Sequence, residues 1–189
     1  MKVVNIKNEQ QRDACLARLC AEVYGHEAGI APLATFAGTL SVLIRQDAAR
    51  MLALVDDASQ PAALALLVLD EQGQSMEVAM LAGLETDVTK PTERLIAELA
   101  TRAPLKVNAL DAGQEAMFRR CGIARWFDGS KGIRVGISDV HPATSPEELP
   151  NPMRFDERAV VQSFKQDRTL FEGYKKRFIR GLETFPRVL

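Results

Sequence analysis

Several residue types are scarce in this chain, and each scarcity removes a class of function. Only 3 of the 189 residues are cysteine and only 2 are histidine. Cys15, Cys20 and Cys121 are odd in number and fit no metal-ligand spacing, so neither a disulfide framework nor a thiolate metal centre is expected. They read as buried, inert thiols. His26 and His141 are the sole imidazoles and stand apart from the cysteines, so no zinc or other metal site is expected. No stretch approaches the ~18 uninterrupted apolar residues that a membrane span requires. The opening MKVVNIKNEQQRDACLARL lacks the apolar run of a secretory signal, and the expectation is a cytoplasmic protein. Aromatics make up only 6%.

A large net charge is absent as well. A net of −1 argues against a general nucleic-acid or membrane surface, so neither partner is expected. The balance is uneven, however. Residues 1–152 carry 15 Lys/Arg against 20 Asp/Glu, while residues 153–189 carry 9 against 5. A basic tail thus follows an acidic body and suits docking either on that body or on a second copy, because opposite charges favour encounter.

What is present is an ordered alternation of helical and strand periods. Lys2–Ile6 is a β-branched strand, and Asn8 stands where a helix cap would, before apolar residues at Cys15, Leu16, Leu19, Cys20 and Val23. Gly25 suits the end of that helix. Ile30–Ile44 forms a second helical stripe with Pro32 in its first turn. Three strands follow at Met51–Val55, Ala62–Leu69 and Met76–Leu81; the middle one is apolar on both faces and belongs inside a sheet. The segment TDVTKPTERLIAEL (86–99) opens a third helix, Lys106–Leu110 is a fifth strand, Gln114–Cys121 a fourth helix, and two strands flank Gly129–Gly132. The fold class expected is a mixed α/β (α+β) layer arrangement.

Three segments are expected: a domain over 1–139, a proline-rich connector over 140–152 and a C-terminal amphipathic helical extension over 153–189. In the extension, Val160, Val161, Phe164, Phe171, Tyr174, Phe178, Leu182 and Phe185 define one stripe. Unbroken, this helix would reach roughly 45 Å; Gly173 and Gly181 are the expected places of interruption. Its stripe packs either across its own domain or against a partner, a homodimer included. The run KKRFIR at 175–180 reads as its solvated side.

The run RLIAELATRA (94–103), LKVNAL (105–110) and AMFRRCGI (116–123), taken with the order of elements, resembles the GNAT superfamily of acyl-CoA-dependent N-acyltransferases over roughly residues 1–138. The resemblance implies a mostly antiparallel central sheet flanked by helices. It also implies acetyl-CoA as co-substrate between diverging fourth and fifth strands, its pyrophosphate on the amides that start the third helix, where the helix dipole favours an anion. In that family an Arg or Gln precedes a glycine-rich loop there. Here Asp87 replaces the Arg or Gln, Lys90 the first glycine and Thr92 the second, while Pro91 removes one donor. The implied cofactor-binding residues are Thr89 and Thr92 with their hydroxyls, Lys90 as a compensating cation, and Glu93.

For catalysis the resemblance implies a carboxylate near the fourth strand as base and a Tyr on the fourth helix as acid. Glu77 is the candidate base, and the Tyr position is taken by Phe118. Tyr24 and His26, between the first two helices, are candidates for lining an acceptor pocket. Two functions follow: acyl transfer from acyl-CoA to a small-molecule or peptide amine, or a GNAT-like binding or assembly module that has lost CoA, with the C-terminal helix as its working surface.

Overall fold

The computed structural model describes residues 1–189. In chain order the elements are β1 (Lys2–Asn5), α1 (Glu9–Tyr24), α2 (Ala31–Gly38), β2 (Ala49–Val55), β3 (Pro61–Leu69), β4 (Met76–Gly83), α3 (Pro91–Ala100), β5 (Leu105–Ala109), α4 (Ala112–Arg120), β6 (Arg125–Asp128), β7 (Arg134–Ile137), α5 (Glu157–Gln166) and α6 (Arg168–Glu183). Asn8 caps α1 as expected, its Oδ1 accepting from the Gln11 N–H at 3.0 Å. The second helical run keeps its extent but widens to a π-helical turn over Thr39–Ile44. No helix is long and apolar enough to cross a membrane.

The seven strands form one sheet in the order β1-β2-β3-β4-β5-β7-β6. Every neighbouring pair is antiparallel except β4 and β5, which run parallel. This is the mixed, mostly antiparallel sheet flanked by helices that the sequence led us to expect. Strand β3 sits inside it and feeds both faces: Leu64, Leu66 and Val68 join a core with α1 and α2, while Ala63, Ala65 and Leu67 join a second core with α3, α4 and β5. Alternation along a strand produces this division, and burial on both faces explains the run AALALLVL.

The tail corrects one expectation. Its helix is broken not at Gly173 or Gly181 but at Asp167, whose backbone is extended (φ −130°, ψ 97°) and whose carboxylate caps α6 by accepting from the Leu170 N–H at 3.0 Å. A capping Asp stops one helix and starts the next, which costs less than a long rod with no surface to cover it. Gly181 instead serves packing. A Cβ there would lie 2.9 Å from the Ala17 Cβ and 3.1 Å from the Asp13 carbonyl, so its absence lets α6 lie close on α1.

Apart from Leu182, which is exposed, the stripe is covered by the chain's own body. The Phe178 ring meets Phe36 edge-on at 5.3 Å, and Phe164 packs on Ala34 and Ala37. Arg177 donates to Asp13 and Glu9 of α1, joining the basic tail to the acidic body.

Candidate functional site

Two features of β4 open a cleft in the sheet. Its parallel pairing with β5 is limited to Met76 with Leu105 and Glu77 with Lys106; beyond these the strands separate. Its pairing with β3 also slips, because Leu66 faces Met80 while Leu67 faces Val78, which leaves Ala79 as an extra, bulged residue. A bulge bends its strand and leaves one residue out of the ladder. Ala79 is exposed although its strand lies between two neighbours. The result is a V, closed at the start of both strands and open towards Gly83 and Ala109.

At the closed end, the Glu77 carboxylate meets the Lys106 ammonium at 2.9 Å, with side chains only 16% and 12% exposed. Parallel register places them side by side on the face that carries α1. Lys106 was not singled out from the sequence, although a lone charge in the otherwise apolar alternation LKVNA was a signal that it faced a partner.

At the open end, Lys90 adopts the left-handed conformation (φ 50°, ψ 54°) just before α3, a geometry that glycine enters freely and a side chain enters at a cost. The backbone turn for which a glycine is suited is therefore kept while the residue has changed. Thr92 and Glu93 lie in the first turn, and no side chain caps it. The Glu93 carboxylate lies 3.7 Å from Lys90 and 3.0 Å from Arg120 of α4. The hydrogen bond from Arg120, resisted by partial burial and aided by its charge and that of Lys90, holds the Glu93 carboxyl below its ordinary range. Thr89 is exposed in the preceding loop, and the Thr86 hydroxyl oxygen there accepts from the Val88 N–H at 3.3 Å.

The remaining candidates sit apart. The Tyr24 hydroxyl is 2.9 Å from that of Thr35, closing the turn between α1 and α2, and His26 is exposed in that turn. No hydrogen bond or ion pair joins either residue to Glu77 or α3. Phe118 is buried with α3 and β5 residues and brings no hydroxyl to the cleft. Cys121 donates to the Met117 carbonyl, and burial first, then the Glu93 charge, pushes its thiol up to about 11. Burial alone takes Cys15 and Cys20 to about 12. None of the three is a thiolate at neutral pH, in keeping with their reading as inert. No group of His, Cys, Asp and Glu is arranged to hold a metal ion.

No family model and no curated protein matches the chain. Among solved structures it is similar to a chimera of the Vibrio cholerae spermidine N-acetyltransferase SpeG with hSSAT, at 12% identity over 72% of this chain and 93% of that one, with a TM-score of 0.48. The Vibrio cholerae spermidine N-acetyltransferase in complex with CoA and spermine is similar at 13% identity over 72% of this chain and 92% of that one, with a TM-score of 0.43.

Proposed function

We propose that the β4–β5 cleft binds an acyl-CoA, acetyl-CoA in the first instance, and that the chain transfers the acyl group to an amine. The observation that carries this reading is the splayed parallel pair with its bulge at Ala79. Two strands that separate leave backbone groups without ladder partners, and an extended amide-bearing ligand can take those places. The tail helices lie on α1 and α2. The pyrophosphate goes to the start of α3, where Lys90, Arg120, the Thr89 and Thr92 hydroxyls and the helix dipole offset the missing glycines.

The amine attacks the thioester carbonyl, forming C–N and breaking C–S. Glu77, two residues before the bulge, accepts the amine's proton directly or through water once Lys106 yields part of its hold. The departing thiolate takes a proton from solvent, since Phe118 has none to give.

One observation favours the module reading instead. Glu93 already supplies an anion to Lys90 and Arg120 at the helix start, as if the phosphate had been replaced by the protein's own carboxylate.

Calorimetric titration with acetyl-CoA separates the two readings. Micromolar binding is expected for the acyltransferase, and no heat at millimolar ligand would leave the module. Lys90→Ala should weaken binding by about tenfold through loss of a charge-assisted phosphate contact; unchanged affinity would refute that role. Glu77→Gln should leave binding intact and cut thiol release in an amine panel by about a hundredfold or more.

A further inference from the structure

A second polar centre lies under the connector, and it owes nothing to the cleft's proposed ligand. From the end of β7 the chain crosses the closed end of the V. The Ser138 N–H donates to the Leu105 carbonyl and its hydroxyl to the Ala103 carbonyl, whereas 13 to 15 residues later Asn151 accepts from the Glu71 N–H and the Met153 N–H donates to Leu69. These anchors sit at the start of β5 and the end of β3, on either side of the start of β4. Between them His141 is buried, 3% exposed.

Its ring is used as an acceptor: Nδ1 takes the Ala143 N–H at 3.1 Å. The proton of the neutral ring therefore resides on Nε2, and Nε2 is buried with no partner. Arg125 of β6 closes the same turn, donating to the carbonyls of Ser138, Asp139, His141 and Ala143.

An imidazolium has two N–H groups and no lone pair. Protonating His141 in place would turn the Ala143 contact into donor against donor and would bury a second cation beside the half-buried Arg125. The charged groups facing it are Arg125 from β6, Lys106 from β5, itself paired with Glu77, and Asp70 from the turn after β3; Asp139 and Glu148 belong to its own segment. Of these, Asp70 alone favours the charge from a neighbouring element, and its carboxylate is already occupied by Ser75 and the Gln72 and Gln74 amides.

We propose that His141 is a proton-operated latch: the neutral ring holds the 140–152 connector over the closed end of the cleft, and a second proton on the ring releases it. Burial, then Arg125 and Lys106 against Asp70, lowers the affinity of the closed form for that proton. The open form takes it up at an ordinary imidazole value of about 6.5. Closure is therefore fully supported above that pH and is weakened as pH falls below it.

Hydrogen exchange of the full chain, corrected for the intrinsic pH dependence, reads the open population directly. Between pH 7.5 and 5.5 the connector amides should lose up to about tenfold in protection, the most one proton gives across that interval, while β3 amides keep theirs. His141→Asn replaces Nδ1 by an amide oxygen that still accepts from Ala143 and cannot titrate, so its connector should change less than twofold. A wild-type change below twofold, an equal change in His141→Asn, or parallel loss in β3 would each overturn the latch. Nitrogen chemical shifts of the wild-type ring at pH 7.5 give an independent check that needs no variant: the Nε2–H tautomer is expected, and an Nδ1–H or charged ring would overturn the assignment. None of these outcomes depends on CoA binding.

Discussion

The two ends of the β4–β5 cleft carry the same chemistry, a carboxylate paired with cations, in opposite surroundings. At the closed end Glu77 and Lys106 are largely out of water and have one another. At the open end Glu93 shares Lys90 and Arg120, whose side chains are 63% and 54% exposed. A pair removed from water is costly to break because the survivor is left buried and uncompensated. A pair in water is cheap to break and cheap to replace. The closed end is thus built to persist, and the open end to exchange partners, which is what a site receiving an anion from solvent requires.

The largest break in this comparison should come from Lys106→Met. It strands the Glu77 carboxylate and should cost about 3 kcal/mol, as removal of one partner of a buried pair does. Adding Glu77→Gln should recover part of that loss. Urea denaturation of the two single variants and the double variant gives the coupling energy, and a coupling near zero would show that the closed end is no more committed than the open one.

Lys90 tests the open end through its backbone. The left-handed conformation costs an L-residue about 1–2 kcal/mol, and a glycine there gives back about 0.5–1 kcal/mol in lost chain entropy. Lys90→Gly should therefore stabilise the chain by about 0.5–1 kcal/mol, read as a shift in denaturation midpoint. A destabilised variant would mean that the lysine side chain holds the loop more strongly than the strain opposes it.

The difference between the ends also marks how much was legible beforehand. The order of strands and helices followed from periodicity, because each element buries its own stripe; AALALLVL could only be an inner strand, and Asn8 could only begin a helix economically. Glu77 and Glu93 were visible as carboxylates, but their partners were not. Lys106 meets Glu77 through the register of two strands 29 positions apart, and Arg120 meets Glu93 through the packing of α4 on α3. The bulge at Ala79 has no local mark, since an extra residue in a ladder is defined by the partner strand. The tail break was misplaced because glycine weakens a helix, whereas Asp167 ends one and caps the next. His141 gave no signal, as its role depends on which ring nitrogen meets a backbone N–H.

The smallest effect belongs to Arg120. In Arg120→Ala, Glu93 keeps Lys90 and gains water, so the denaturation midpoint at pH 7 should fall only slightly. The Glu93 carboxyl, however, loses the contact that contributes most to lowering its pKa. Its titration, followed by carbon NMR, should move up towards the ordinary carboxylate range. The wild-type pair helps above that range and is lost as pH falls through the lowered value, so the small difference between the two proteins should be present at neutrality and vanish in acid. Raised salt should shrink even the difference at neutrality, because solvent ions screen an exposed pair. If Arg120→Ala instead lowered the midpoint at pH 7 as far as Lys106→Met does, the open end would be as fixed as the closed one, and Glu93 would be a permanent occupant of the helix start, not a group that gives way to an incoming phosphate.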